Sequence, residues 1–246
     1  HRYGRRQRQM CIRDRYSGLR HISDTSQNIL TVEDPIEYTL PGIGQTQVNN
    51  KAGYDFASGL RSILRQDPDI VMVGEIRDIE TAKIAIQASL TGHLVLSTIH
   101  TNSAIGAIAR LRDMGIESYL LASSLRVVIA QRLVRRLCED CKTPVKPSAT
   151  IQKEFQLDKN ENIYQAVGCT NCNNTGFKGR IALAECINIS DELKALIHDE
   201  ASEAKLAESA FKENLSLDLS SSQLLRDGLT SYEELLRVQN NQDANL

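Results

Sequence analysis

The chain is predicted to be an α/β protein built on a doubly wound, mostly parallel sheet, followed by a cysteine-bearing region and a helical tail. Three observations predict it. The run Ile70-Val71-Met72-Val73 is followed by Gly74 and Glu75, which reads as a buried parallel strand delivering a carboxylate to its carboxyl end. A second such strand, His93 to Ile99, begins eighteen residues after Glu75. Between the two lies helical periodicity, and strands alternating with helices imply a parallel sheet covered on both faces.

The elements follow in order. Residues 1–15 show no periodicity. Leu19 and Ile22, three apart, lie on one helix face, and a polar loop 23–28 follows. Ile29 to Asp34 reads as a short strand ending in two acids and stopped by Pro35, a residue with no N–H for the ladder. Residues 41–53, with Gly42, Gly44 and Gly53, read as loop or short β structure. Phe56, Leu60, Ile63 and Leu64 predict an amphipathic helix over 55–66. After the Glu75 strand, Ala82, Ala85, Ile86 and Ser89 mark one face of a helix from Ile79 to about Leu90, which Gly92 stops. Further helices are predicted over Ala104–Met114 and Ser118–Leu137. Past Cys138 the pattern weakens to about Ile189, and from Asp191 the chain reads as helices, with a polar tail from Asn240.

The chain of 246 residues is 41% hydrophobic and 24% charged, the composition of a globular protein with a substantial core. No apolar run reaches the length of a membrane span and no signal peptide is visible, so the sequence reads as cytosolic. Of the 29 Lys and Arg, six lie in residues 1–15, which hold one of the 31 acids. That leaves 23 basic against 30 acidic residues, a net of −7, for the rest. An acidic body argues against a nucleic-acid surface.

Glu75 is the first candidate for catalysis, because open α/β sheets bind ligands at the carboxyl ends of their strands. A carboxylate there can hold magnesium-bound water or orient an attacking water. Glu33 and Asp34 close an earlier strand and could do similar work. Alone they read first as a charged loop beside Pro35; Glu75 strengthens the functional reading. His93 and His100 bracket one strand, and about 3.3 Å per residue puts them more than about 20 Å apart. His100 falls on the rim of Glu75, where it could touch a γ-phosphate, and His93 falls at the far end in a structural role. Arg61, Arg65 and Arg77 flank the Glu75 strand and are candidates to reach across to a neighbouring subunit; the sequence does not rank them. Cys138, Cys141, Cys169 and Cys172 form two CxxC pairs with 27 residues between the pairs. Four thiolates in two such clips suit a closed structural zinc site. Cys186 reads as a small core residue.

From Tyr16 to about Val238 the chain resembles the AAA-like ATPases of type II secretion and type IV pilus assembly. Ile29–Glu37 (ILTVEDPIE) resembles their aspartate box, Leu60–Asp78 (LRSILRQDPDIVMVGEIRD) their Walker B region, and Thr91–Asn102 (TGHLVLSTIHTN) their histidine box. The four cysteines are similar to the tetracysteine element of the assembly members. Gly176–Arg180 (GFKGR) and Gly228–Val238 (GLTSYEELLRV) fit the family's C-terminal pattern. Residues 42–49 and 88–92 look most like the type II secretion members, with the pilus-assembly members close behind. The resemblance implies a RecA-like core over 16–137, a tetracysteine zinc region over 138–189 and a helical region over 190–246. It implies Glu75 as catalytic glutamate, ATP with Mg2+, and a cytosolic homo-hexamer. Its partners would be the inner-membrane platform and cytoplasmic docking proteins of the machine, and it would drive pseudopilus assembly.

One departure matters. Family members carry GxxxxGK[ST], whose backbone N–H groups and lysine cradle the β- and γ-phosphates, and these 246 residues contain no such motif. Positions 10–15 stand where its Lys-Ser/Thr and the residues after it would fall. Residues 1–15 are therefore expected to be foreign sequence joined to a truncated gene that also lacks the family's large N-terminal domain, with a basic surface tail as the alternative. The chain alone is expected not to turn over ATP. Sequencing the source DNA upstream of Tyr16 tests this: an uninterrupted native frame through residues 1–15 would refute it.

Overall fold

The sheet at the centre of the first unit is four-stranded and wholly parallel, in the order β2-β1-β3-β4. Its strands are β1 (Ile29–Glu33), β2 (Gly44–Gln47), β3 (Ile70–Val73) and β4 (Leu94–Ser97). The computed structural model describes residues 14–24 and 26–240. Thirteen residues of the arginine-rich head, Cys11 among them, and the polar tail beyond Asn240 lie outside the described residues. Asp14 and Arg15 are the first described residues of helix α1 (14–22).

Side chains alternate across a strand, and the two faces of this sheet are legible residue by residue. Leu30, Val32, Val71, Val73 and Val95 pack with Phe56, Leu60 and Ile63 of α2 (Phe56–Ile63) and Ala85 of α3 (Ile79–Leu90). Ile29, Ile70, Met72 and Leu96 pack with Tyr16 and Leu19 of α1 on the other face. Asp55 caps α2 reciprocally with Ser58, and Asp78 caps α3 by accepting from the Thr81 N–H at 2.7 Å. These caps satisfy donors that a helix leaves open at its start.

Two compact units divide the chain. The first comprises residues through Thr101, Ile105–Val128 and Ile189–Ser209. It includes α5 (Ser118–Ser124), on which α7 (Asp191–His198) packs. The second comprises Asn102–Ala104, Ile129–Asn188 and the residues from Ala210 onward. Its core gathers Val134 of β5 (Val127–Leu137), Phe155 just past α6 (Ala149–Glu154), Ile163 of β7 (Ile163–Gln165) and Leu183 of β8 (Phe177–Asn188). Leu224 and Leu225 of α9 (Leu217–Arg226) and Leu235 of α10 (Tyr232–Asn240) complete it. β5 pairs with β8, and β6 (Thr143–Val145) pairs antiparallel with β7. Helices α4 (Ala104–Asp113) and α8 (Glu203–Ala210) fall at the changes of unit.

The helix expected over Ser118–Leu137 is a correction. It ends at Ser124, and Val127–Leu137 is a strand. Val127, Val128 and Ile129 are β-branched in succession, which disfavours a helix and suits a pleated strand. Leu125 already has extended backbone (φ −68°, ψ 134°). The weak pattern past Cys138 hides β6, α6, β7 and the twelve-residue β8.

Candidate active site and metal centre

The carboxyl ends of β1, β3 and β4 gather four of the sequence-predicted side chains, Asp34, Glu75, Arg77 and His100. Gly74 brings β3 to this rim close against its neighbours: an added Cβ would lie 3.1 Å from the Phe56 ring and 3.3 Å from the Val32 carbonyl oxygen. The backbone there is pinned by the Gly74 N–H to Val32 O at 2.8 Å, Ile76 N–H to Thr98 O at 2.8 Å and the Thr98 hydroxyl to Gly74 O at 2.8 Å. Arg15 also donates to Gly74 O, at 2.5 Å.

Glu75, 5% exposed, stands on this platform. One carboxylate oxygen accepts from Arg77 and the other lies 2.9 Å from His100 Nε2. His100 is itself largely exposed, so the carboxylate is buried while its partner reaches solvent. Arg77 also lies 3.9 Å from Asp34, its cation favoured chiefly by the hydrogen bond to Glu75. Glu75, His100, Arg77 and Asp34 thus share one rim. A carboxylate there can accept a proton from or orient a water molecule.

Glu33 is placed differently. It is buried below the rim on the α1 face, 4% exposed. One of its oxygens accepts from Thr31 at 2.7 Å and Gln45 at 3.0 Å, the other from the Tyr16 hydroxyl. Burial and the bond to Glu33 push the Tyr16 phenol up to about 12. Of the other arginines, Arg61 pairs with Glu80 of α3, and Arg65 is exposed past the end of α2. His93 lies at the opposite end of β4, its Nδ1 2.9 Å from the Ala88 carbonyl.

In the second unit the four predicted cysteines converge, with all Sγ atoms within 4.8 Å of one another. Cys138–Cys169, Cys141–Cys172 and Cys169–Cys172 are 3.9, 3.8 and 3.7 Å apart. Four sulfurs about 2.3 Å from a tetrahedral zinc would sit about 3.8 Å apart, against about 2.05 Å in a disulfide. The donor set therefore fits a tetrahedral thiolate-bound metal. Cys138 follows β5 directly, and a 3₁₀ turn over Thr170–Cys172 presents the second pair. Asn173, at φ +53°, closes that turn, and at Gly176, φ +73°, an added Cβ would come 2.6 Å from the Ala166 Cβ. Burial pushes the Cys138 thiol up to about 12. Burial opposes ionisation of Cys172 as well, but the N–H groups of Cys169 and Gly176, together with the Cys169 and Cys141 thiols, outweigh it and bring that thiol to about 6. Both N–H groups lie 3.2 Å from its sulfur.

Residues 15–237 match the family model described as type II/IV secretion system protein. The chain belongs to this family. Among relatives in the type II/IV secretion family, it is 53% identical over 225 residues to type II secretion system ATPase E of Vibrio cholerae. It is 52% identical over 225 residues to type II secretion system protein E of Pseudomonas aeruginosa. Each match takes in 91% of this chain and 45% of the relative, so the chain spans about half the length of the curated relatives it matches. The crystal structure of the pilus retraction motor PilT with bound ADP superposes with a TM-score of 0.64 at 26% identity, over 86% of this chain and 52% of that one. Among the described residues, no helix is long and apolar enough to cross a membrane.

Sequence reasoning missed the residues that hold the acidic end of β1 in place. Tyr16, Thr31 and Gln45 grip Glu33. The available signal was period: Thr31 shares the β1 face with Glu33, and Tyr16 precedes Leu19 by three on α1. Gln45 carried none, because its pairing with β1 depends on the sheet order.

Proposed function

We propose that the chain is the C-terminal part of a type II secretion ATPase whose hydrolytic rim is formed by Glu75, His100 and Asp34, with Glu33 buried beneath it. The observation that carries this reading is the buried Glu75 carboxylate, set between His100 and Arg77 at the strand ends. In phosphoryl transfer the protein mainly positions groups and stabilises charge. Glu75 would orient the attacking water and accept its proton, and His100 would fix the carboxylate and sense the terminal phosphate. Asp34 would hold waters of a magnesium ion bound with ATP, and Glu33 would set the β1 terminus from below. Arg77 joins this rim, while Arg61 and Arg65 stay candidates to serve a neighbouring subunit.

The wider assignment follows from the resemblance of the sequence motifs: a homo-hexamer in the cytoplasm, attached to the inner membrane through platform and docking proteins, that would drive pseudopilus assembly and bind no nucleic acid. Zinc at the four cysteines would stabilise the second unit without entering the chemistry.

A second reading has its own support. Without GxxxxGK[ST] in these 246 residues, the chain by itself would be a zinc-stabilised scaffold that does not turn over ATP. Two measurements separate the readings. Residues 1–246 purified alone should show no hydrolysis. Tyr16–Leu246 fused behind the N-terminal portion of the Vibrio cholerae relative should hydrolyse ATP, with Glu75→Gln lowering the rate at least about 100-fold. A folded, hexameric fusion without turnover would refute the ATPase assignment.

A further inference from the structure

Strands of a parallel sheet usually read as apolar runs, yet β2 is Gly44-Gln45-Thr46-Gln47. Its register with β1 pairs Gln45 with Thr31 and Gln47 with Glu33. Gln45 and Gln47, two apart, share one face of the strand, the face on which Thr31 and Glu33 bond to each other. From there both glutamines reach the segment 34–40, which leaves the end of β1 and begins with Asp34. All of these residues belong to the first unit.

Gln47 Oε1 accepts from the Ile36 N–H at 3.2 Å. Gln45 Oε1 accepts from the Leu40 N–H at 2.7 Å, while its Nε2 donates to the Tyr38 carbonyl at 3.3 Å and to Glu33 at 3.0 Å. Among neutral side chains only a carboxamide combines an acceptor oxygen with two N–H donors, so Gln45 ties the far end of the segment to the carboxylate at its root. Tyr16 takes the Glu37 N–H at 3.2 Å, and its ring centre lies 4.4 Å from that of Tyr38. Four backbone groups of the segment are thus held by side chains and not by a helix or a ladder. Backbone groups of this kind need such partners to stay in one arrangement. Asp34, its side chain 36% exposed and 3.9 Å from Arg77, stands between Glu33, which the sheet holds, and the stretch from Ile36 on, which the glutamines hold.

We propose that Gln45 and Gln47 are positioning residues for Asp34: by fixing the segment 34–40 against the end of β1, they set where its carboxylate stands on the rim. The functional weight of this rests on reading Asp34 as the carboxylate that serves magnesium. The placement itself does not, and it is measured without nucleotide.

The test is carboxylate 13C NMR together with amide hydrogen exchange on the whole chain at neutral pH. Gln45→Ala should speed exchange of the Leu40 amide at least about tenfold and shift the Asp34 Cγ signal, leaving those of Asp24, Asp55 and Asp69 in place. Gln47→Ala should free the Ile36 amide and shift Asp34 as well. An Asp34 signal unmoved in either variant, despite faster exchange, would show a structural brace only and overturn the proposal, as would an unchanged Leu40 amide in Gln45→Ala. Should Gln45→Ala fail to fold, Gln47→Ala decides, because it removes one hydrogen bond of an exposed side chain. In the ATP-hydrolysing fusion, Gln45→Ala should raise the Mg2+ concentration for half-maximal rate about tenfold, more than it lowers the rate at saturating Mg2+; an unchanged Mg2+ requirement overturns the proposal. A fusion without turnover refutes the ATPase reading instead, and the Asp34 signal of the chain alone still decides this one.

Discussion

Tyr16→Phe isolates the hydrogen bond beneath the rim. The ring is fully buried and phenylalanine keeps its packing, so the substitution removes the hydroxyl alone. That hydroxyl donates to Glu33 and accepts from the Glu37 N–H at 3.2 Å. A hydrogen bond to a charged acceptor contributes about 1.5–3 kcal/mol. Thr31 and Gln45 remain on the other Glu33 oxygen, so the carboxylate keeps partners and the loss should stay within that range. For a chain of this size it corresponds to a fall in Tm of roughly 3–12 °C, read for the first unit by differential scanning calorimetry. The pH dependence gives an independent check. A phenol raised to about 12 in the folded protein, against about 10 unfolded, contributes stability that is whole below pH about 10 and is lost as the pH rises through about 12. Wild type should therefore lose its advantage over Tyr16→Phe across that window. A difference under about 0.5 kcal/mol at neutral pH, within ordinary surface-substitution scatter, with parallel curves above pH 10, would refute the reasoning.

Other predictions concern each unit separately. Metal analysis should find one zinc per chain, and a strong chelator should lower the Tm of the second unit and zinc should restore it; Cys138→Ser should lose both metal and stability, and an equally stable metal-free protein would exclude the site. Gly176→Ala, with its Cβ 2.6 Å from the Ala166 Cβ at φ +73°, should lower stability in urea by about 1–3 kcal/mol. Leu60→Ala, at a fully buried position between α2 and the sheet, should cost about 2–5 kcal/mol. Arg61→Ala should change stability by less than about 1 kcal/mol, because its pair with Glu80 is half exposed on both sides.

The parallel core was legible because its signals are local. Four apolar residues ending in Gly74-Glu75, helical spacing from Phe56 to Ile63, and the start and stop of α3 each follow from neighbours in the chain. The rim was legible for the same reason, since strand ends in a parallel sheet share a side, and Glu75 and His100 do meet. The four cysteines converge as their spacing implied. What escaped is long-range. Leu133 and Val134 lie on a pattern that fits a helix face as well as a strand, and only pairing with β8 decides for the strand. Buried Glu185 finds a partner in the Ala104 N–H, 81 residues away. Arg77, one of three arginines the sequence could not rank, is the one that reaches Glu75.

The way the chain is shared between its units bears on how it is made. The first unit draws on Ile189–Ser209, where α7 covers α5. During synthesis that piece leaves the ribosome only after the whole stretch from Ile129 to Asn188. Domains commonly fold as they emerge, N-terminal first, but here the earlier unit has to wait, holding α5 uncovered, for about 60 further residues that belong elsewhere. A shortened product ending near Leu137 would release α5 without α7, leaving the face that α7 covers open to chaperones and proteases.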